Sequence, residues 1–361
     1  MKTKIVKINP HQIDRSAINE AGEILQRGGL VALPTETVYG LGANALDEEG
    51  ARKTYQVKGR PSDNPLIIHI AKPEALEKIT INRSSEVDLL AKAFWPGPLT
   101  IIMEKSPLVS YGITGGQESV AVRMPAHKVA LAVIEAAGGF VTAPSANTSG
   151  RPSPTLASHV KEDLEGKIEM IVDAGEVEIG LESTIIDMTT SPPAILRPGE
   201  ITQEMLEEVI GEVVKGPGTL DEDSKEKPKA PGMKYRHYAP KGKLVIVEGS
   251  IEQEVLAIKR LVNEKLKEKE KVGIIATEET VSEYQEGIVK NIGSRKNLST
   301  IATNLYRILR EFDSEAVEFI YSESVPTQGI GDAIKNRMDK AAGHHYIKAE
   351  AVVGLTDSKR K

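Results

Sequence analysis

The sequence has no cysteine, which excludes disulfides, a thiolate nucleophile, cysteine-held zinc and iron–sulfur clusters. Aromatic residues make up only 4% of it, with a single Trp, too few for a stacking platform along single-stranded nucleic acid. No segment reaches the roughly 18 uninterrupted apolar residues of a membrane helix. The opening MKTKIVKINPHQIDRS lacks an apolar core of signal-peptide length, so a cytoplasmic protein with no membrane contact is expected. Basic charge is not in excess either: the net charge of -6 argues against a wrapper of nucleic acid, although a local basic cleft fits inside an acidic average. The GxxxxGK[ST] phosphate loop and the HExxH zinc motif are both missing, so an ATP site must be built another way.

What remains is a globular composition, 40% hydrophobic and 27% charged over 361 residues, enough for two domains of roughly 100 to 200 residues. From Asp14 to Arg27, Ile18, Ala21, Ile24 and Leu25 recur at helical spacing and Gly28-Gly29 follows as the stop. The pattern predicts a helix leading into a strand at residues 30–33. Strand-like runs follow at 66–70, 99–103, 119–124, 140–143, 170–172, 183–188 and 194–196. Helices lie between several of them, one carrying Val87, Leu90, Ala91 and Phe94 and another at about 126–137. The first domain reads as α/β with a sheet of mixed direction. Around Gly216 the periodicity fails in a stretch rich in Pro, Gly and charge, read as a linker. Strands at 244–247, 272–276 and 317–321 then alternate with helices at about 251–268, 298–312 and after Gly331, a smaller α/β domain of the open-sheet type. The expected division is 1–211, a linker or lid at 212–240, and 241–361. Gly329-Ile330-Gly331-Asp332 reads as a simple helix start.

Polar residues crowd the strand ends of the first domain. Thr35, Thr37, Gly40 and Gly42 follow the strand 30–33, hydroxyls beside glycines that let a backbone approach a ligand. Lys58 and Arg60 fall at a helix end before two prolines and the strand bearing His69. Two cations on a rigid turn suit a polyphosphate, and equally a helix dipole. Arg123 sits inside an apolar strand, where an unpaired guanidinium is costly. It wants an anion, either the carboxylate of a bound amino acid or an internal Asp or Glu. The loop 142–153 offers Ser145, Ser149 and small residues of the kind that cradle phosphate, and Ser183 and Arg197 repeat the theme at further strand edges. Together they describe one cleft with cations, hydroxyls and no acid/base dyad, suited to positioning and electrostatic catalysis on phosphate.

In order, the chain carries LPTETVYGLGANA, KGRPSDNPLIIHI, FWPGPLTII, VAVRMPAH, APSANTSGRPSPT, ESTIID and LRPG. This series resembles the YrdC-like L-threonylcarbamoyladenylate synthases, densely from Ile5 to about Gly211. The later APGMKYRHYAP and the region after it resemble their longer, two-domain form more loosely. The resemblance implies a YrdC-like open twisted mixed sheet with helices, followed by a smaller Rossmann-like open sheet. It implies a nucleotidyltransferase that makes threonylcarbamoyl-AMP from L-threonine, bicarbonate or CO2, and ATP, releasing pyrophosphate. The product would serve partner proteins that form N6-threonylcarbamoyladenosine at position 37 of tRNAs reading ANN codons. By the same resemblance Thr37, His69, Arg123 and Ser183 match the threonine site. Lys58, Arg60, Asn64, Ser119, Ala143, Ser145, Arg197 and Tyr235 match the ATP site, with Mg2+ accompanying the nucleotide and no dedicated carboxylate cage for it. The hydrogenase-maturation carbamoyltransferases share the module but need Cys-rich zinc fingers, which this chain lacks. A double-stranded RNA or tRNA binding module, or weak tRNA binding as a second activity, is the alternative from another class.

Overall fold

The computed structural model describes residues 1–217, 227–234 and 237–354. Its strands are β1 (Lys4–Lys7), β2 (Val31–Leu33), β3 (Gly40–Asn44), β4 (Ile67–Ile70), β5 (Leu99–Glu104), β6 (Ser119–Arg123), β7 (Phe140–Thr142), β8 (Met170–Asp173), β9 (Thr184–Asp187), β10 (Ala194–Arg197), β11 (Val214–Lys215), β12 (Lys243–Glu248), β13 (Val272–Ala276), β14 (Ile288–Asn291), β15 (Phe319–Glu323) and β16 (Tyr346–Lys348). Strands β1 to β11 form a sheet in the order β1-β8-β2-β3-β7-β4-β6-β5-β9-β10-β11. Its direction is mixed: β4 pairs parallel with β6, while β5 runs antiparallel to β6 and parallel to β9.

The first helix spans Arg15–Gln26. The Asp14 carboxylate accepts from the backbone N–H of Ser16 and Ala17, and Gly28, at φ 74°, ends the helix. Ala17, Ile18, Ala21 and Leu25 are its buried stripe, each large aliphatic contributing about 1.5–3 kcal/mol relative to exposure. The two-residue period of the strands sorts the central sheet into two faces. Ile68, Ile70, Ile101 and Val122 pack with Val87 and Leu90 of the helix Ser85–Phe94. Ile67, Ile102, Ala121, Ile185, Ala194 and Leu196 belong to the other face.

Two readings of the sequence change here. The glycine-rich segment after the PTET motif is strand β3, not a ligand-approach loop. A Cβ at Gly40 would stand 2.9 Å from the Ala143 Cβ and one at Gly42 2.8 Å from Leu33, so the glycines let neighbouring strands close up. The stretch read as a linker also belongs largely to the first unit: β11 pairs with β10, and Ala230 and Met233 are buried against Ile67, Ile102, Ala121, Ile185, Ala194 and Leu196. Contacts divide the chain near residues 235 and 236, with 150–152 grouped into the second unit, rather than at 211 and 240.

The second unit is an all-parallel sheet in the order β14-β13-β15-β12-β16, the open-sheet type expected. The helix Ile251–Lys267 starts with a capping box between Ser250 and Gln253 and packs with the helix Ala349–Gly354. The helices Leu298–Ser314 and Gly331–Ala341 pack together. Strands β14 and β16 are half-buried edges that the sequence pattern did not reveal. Among the described residues no helix is long and apolar enough to cross a membrane.

Candidate functional site

The pairing of the central strands draws the polar residues into one transverse row. His69 on β4 lies opposite Arg123 on β6, and Arg123 lies opposite Thr100 on β5. Opposed residues point to the same face, the face that carries Ile67, Ala121 and Ile102. Ser183 immediately precedes β9, and its Oγ lies 2.7 Å from Thr100 Oγ1. At the end of β10 Arg197 donates from Nε to the Ser183 carbonyl at 3.0 Å and from Nη2 to Ser183 Oγ at 3.1 Å. No local pattern in the sequence marks Thr100; the register between β5 and β6 places it in the row.

Arg123 is 4% exposed. Its Nη1 donates to Thr37 Oγ1 at 2.9 Å and its Nε to the Gly97 carbonyl at 3.3 Å. Thr37 is held in turn by Thr35: the Thr35 hydroxyl gives its proton to the Val38 carbonyl at 2.6 Å, so Thr37 donates to Thr35 at 2.9 Å. The anion that Arg123 requires is internal in this structure, Glu36 Oε1 at 2.7 Å from Nη2. The contact is an ion pair without hydrogen-bond alignment, since neither Glu36 oxygen nor Arg123 Nη2 has a hydrogen-bond partner. Buried polar atoms left in that condition are rare and call for a partner, whether a ligand, an ion or an ordered water. Glu36 lies within the LPTETVYGLGANA motif, and the signal in the sequence that points to it is the need of Arg123 for an anion.

Electrostatics around the row are dominated by its cations and by burial. His69 is buried, and desolvation, with Arg123 and Arg197 nearby, pulls its pKa down to about 3. It is therefore a neutral imidazole at ordinary pH, and its Nδ1 stands 3.2 Å from the Ile67 carbonyl. Burial, and then the neighbouring Glu36 and Glu178 carboxylates, raises the Glu200 carboxyl, while burial lowers His127.

Of the residues that the resemblance matches to ATP, Arg60, Asn64, Ala143 and Ser145 lie in loops flanking the same strands, while Lys58 ends a helix, Ser119 opens β6 and Arg197 ends β10. The helix Glu48–Lys58 ends on Gly59, at φ 61°, and Lys58 is buried with Nζ donating to the carbonyls of Ser145 and Asn147. Lys58 thereby ties this helix to the loop after β7. Arg60 donates to the carbonyls of Asn64 and Pro65 at 3.3 and 2.9 Å, and Asn64 Oδ1 is buried without a hydrogen-bond partner. The Ala143 N–H donates to the Ile67 carbonyl at 3.2 Å, and Ser145 bridges to Gly40. Ser119 is half-buried at the opposite end of β6 from Arg123. Tyr235 lies outside the described residues.

The segment 227–234 covers the sheet face that bears this row. Besides Ala230 and Met233, Lys229 pairs with the buried Asp187 at 3.0 Å, Lys234 with Asp63 at 3.8 Å, and Gln117 Nε2 donates to the Lys227 carbonyl at 3.1 Å.

Fold and site define an α/β ligand-binding domain on a mixed sheet, joined to a doubly wound parallel domain. A family model described as "Telomere recombination" matches residues 23–199, and one described as "Threonylcarbamoyl-AMP synthase, C-terminal domain" matches 201–343. The chain is 48% identical to the threonylcarbamoyl-AMP synthase of Pyrococcus abyssi, across 93% of this chain and 97% of that one. It is 48% identical to the Bacillus subtilis enzyme of that name, across 92% and 94%. The crystal structure of P. abyssi Sua5 with L-threonine superposes with a TM-score of 0.90 at 46% identity, covering 96% of this chain and 99% of that one. The chain belongs to the two-domain threonylcarbamoyl-AMP synthase family.

Proposed function

We propose that the chain joins L-threonine, CO2 derived from bicarbonate, and ATP into threonylcarbamoyl-AMP with release of pyrophosphate. The observation that carries this reading is the buried row at the centre of the sheet, in which Arg123 keeps an unaligned Nη2 beside Thr37, His69, Thr100 and Ser183. An amino-acid carboxylate would take the Arg123 guanidinium in two parallel bonds, displacing the poorly aligned Glu36. The amine, once neutral, adds to CO2 and gives up a proton to become the carbamate. A carbamate oxygen then attacks the α-phosphorus, and the bond to the pyrophosphate oxygen breaks. No covalent enzyme intermediate is required, so the residues act by positioning and by balancing charge. Neutral His69 would line the pocket without adding a further cation to Arg123 and Arg197.

Lys58, Arg60, Asn64, Ser119, Ala143, Ser145, Arg197 and Tyr235 would hold the nucleotide, the cations facing its phosphates. Among the described residues no three His, Asp or Glu side chains converge as a metal cage. Mg2+ would be carried on the triphosphate with its own waters and would neutralise phosphate charge. The segment 227–234, with Tyr235 beyond it, would act as a lid that keeps water from the mixed anhydride. The product would pass to proteins that modify adenosine 37 of tRNA. The deep burial of Lys58, His69 and Arg123 suits a small-molecule pocket better than the phosphate backbone of a duplex, which needs exposed cations. Incubating the protein with ATP, threonine and bicarbonate should yield an adenylate of threonylcarbamate detectable by mass. Finding AMP and pyrophosphate but never that adenylate would count against the reading.

A further inference from the structure

The second unit contains a crevice of its own. From β12 the chain crosses through the helix Ile251–Lys267 to β13 on one side, and from β15 it crosses through Gly331–Ala341 to β16 on the other. Strands β12 and β15 are direct neighbours, so the two crossovers leave adjacent strands in opposite directions. In open parallel sheets the carboxyl ends of such a strand pair are where ligands bind. A cavity of about 270 Å³ lies there, bordered by Glu248 at the end of β12 and Gly249 just after it, Ser324 and Val325 after β15, Lys335 and Lys348.

The rim is held in place from beneath. Buried Glu254 accepts from the Gly249 N–H at 3.2 Å, from Ser324 Oγ, and from Arg295 Nη2 at 3.0 Å. Arg295 also reaches buried Glu323 at 3.1 Å, which Thr277, Thr280 and Tyr284 surround with hydroxyl donors. Burying two carboxylates around one guanidinium is a poor way to stabilise a domain, but it fixes the ends of β12, β13 and β15 relative to one another, as a preorganised site requires.

The charges on the crevice alternate. Lys348 stands 2.6 Å from Glu248, Glu248 3.7 Å from Lys335, and Lys335 3.4 Å from Asp339, two cations and two carboxylates with no net charge. A phosphate or a simple cation would meet two like charges. A ligand with one charge of each sign meets none it cannot satisfy, and partly exposed ion pairs yield readily to it. Ile246, Val325 and Met338 add an apolar floor for a small aliphatic group. We propose that this crevice binds a free α-amino acid, its carboxylate between Lys335 and Lys348 and its ammonium between Glu248 and Asp339. The proposal does not depend on what the first unit catalyses.

The test is a methyl-NMR titration of the full chain labelled at Met and Ile, with L-threonine, L-valine and glycine as probes and with N-acetyl-L-threonine and L-threonine methyl ester as controls. At least one free amino acid should shift the Met338 methyl saturably, and both blocked derivatives should bind at least about tenfold more weakly for want of one charged partner. Glu248→Gln and Lys335→Gln should each weaken the response by a similar factor while the Ile185 methyl of the first unit keeps its wild-type position. Silence of the Met338 methyl toward every free amino acid, equal binding of the blocked derivatives, or indifference to both substitutions would each overturn the proposal.

Discussion

Replacing Arg123 by Ala should injure the protein in two separable ways. Both partners of the Arg123–Glu36 pair have side chains only 5% exposed, so the substitution strands a carboxylate in the interior. Losing one partner of a buried pair costs about 3–5 kcal/mol. For a unit of this size that is a fall in Tm of roughly 6 to 20 °C. Adding Glu36→Gln removes the stranded charge and should restore much of the stability. Threonine use should not return with it, because the guanidinium that takes the substrate carboxylate is still missing. A charge-assisted contact of about 1.5–3 kcal/mol corresponds to a threonine KM raised about tenfold to a hundredfold in both variants, with the ATP requirement little changed. The assays are thermal melts and pyrophosphate release at varied threonine. If the double variant recovered threonine use along with stability, Arg123 would be a structural pair and no more; if the single variant melted like wild type, the energetics of the pair would be wrong.

Gly199→Ala should lower stability by about 1–3 kcal/mol in urea melts and weaken activity, because a Cβ there would lie 2.4 Å from the Thr184 nitrogen, next to Ser183. His69, held near pKa 3 against about 6.5 unfolded, binds its proton more readily in the unfolded chain. Its contribution to stability is therefore full above about pH 6.5 and falls as pH drops toward 3, by at most about 1.4 kcal/mol per pH unit. His69→Gln should flatten that part of the stability profile, and an unchanged profile would refute the assignment. Met233→Asp should loosen the segment over the sheet, raising the ATP KM and the rate at which the adenylate is hydrolysed, and unchanged values of both would count against a lid. Serine should replace threonine with a loss of roughly a few-fold to tenfold in kcat/KM if the pocket buries the threonine methyl, about 0.8 kcal/mol for one carbon.

Much of the central sheet was legible because its strands are continuous apolar runs between breakers, and the helices because their apolar spacing and caps agree. Strand β3 was hidden by Gly40 and Gly42, whose low strand propensity is overridden by neighbours that leave no room for a side chain. The edge strands β14 and β16 are short and half-buried, too weakly patterned to stand out. The connecting segment misled by its average composition: two apolar residues, Ala230 and Met233, anchor it, and two anchors do not make a period. In the site, residue types that need partners announced themselves, Arg123 above all. Which partners they have was set by strand register, which brings Thr100 and Ser183 together from 83 positions apart and which no local pattern encodes.

Attack on ATP by a carbamate made from threonine is tested most directly by pyrophosphate release with each co-substrate withheld in turn. Pyrophosphate should form only when threonine and bicarbonate are both present, and Arg123→Ala should suppress it at low threonine. Release that continues at the same rate without threonine, or in solution stripped of bicarbonate and CO2, would contradict the account.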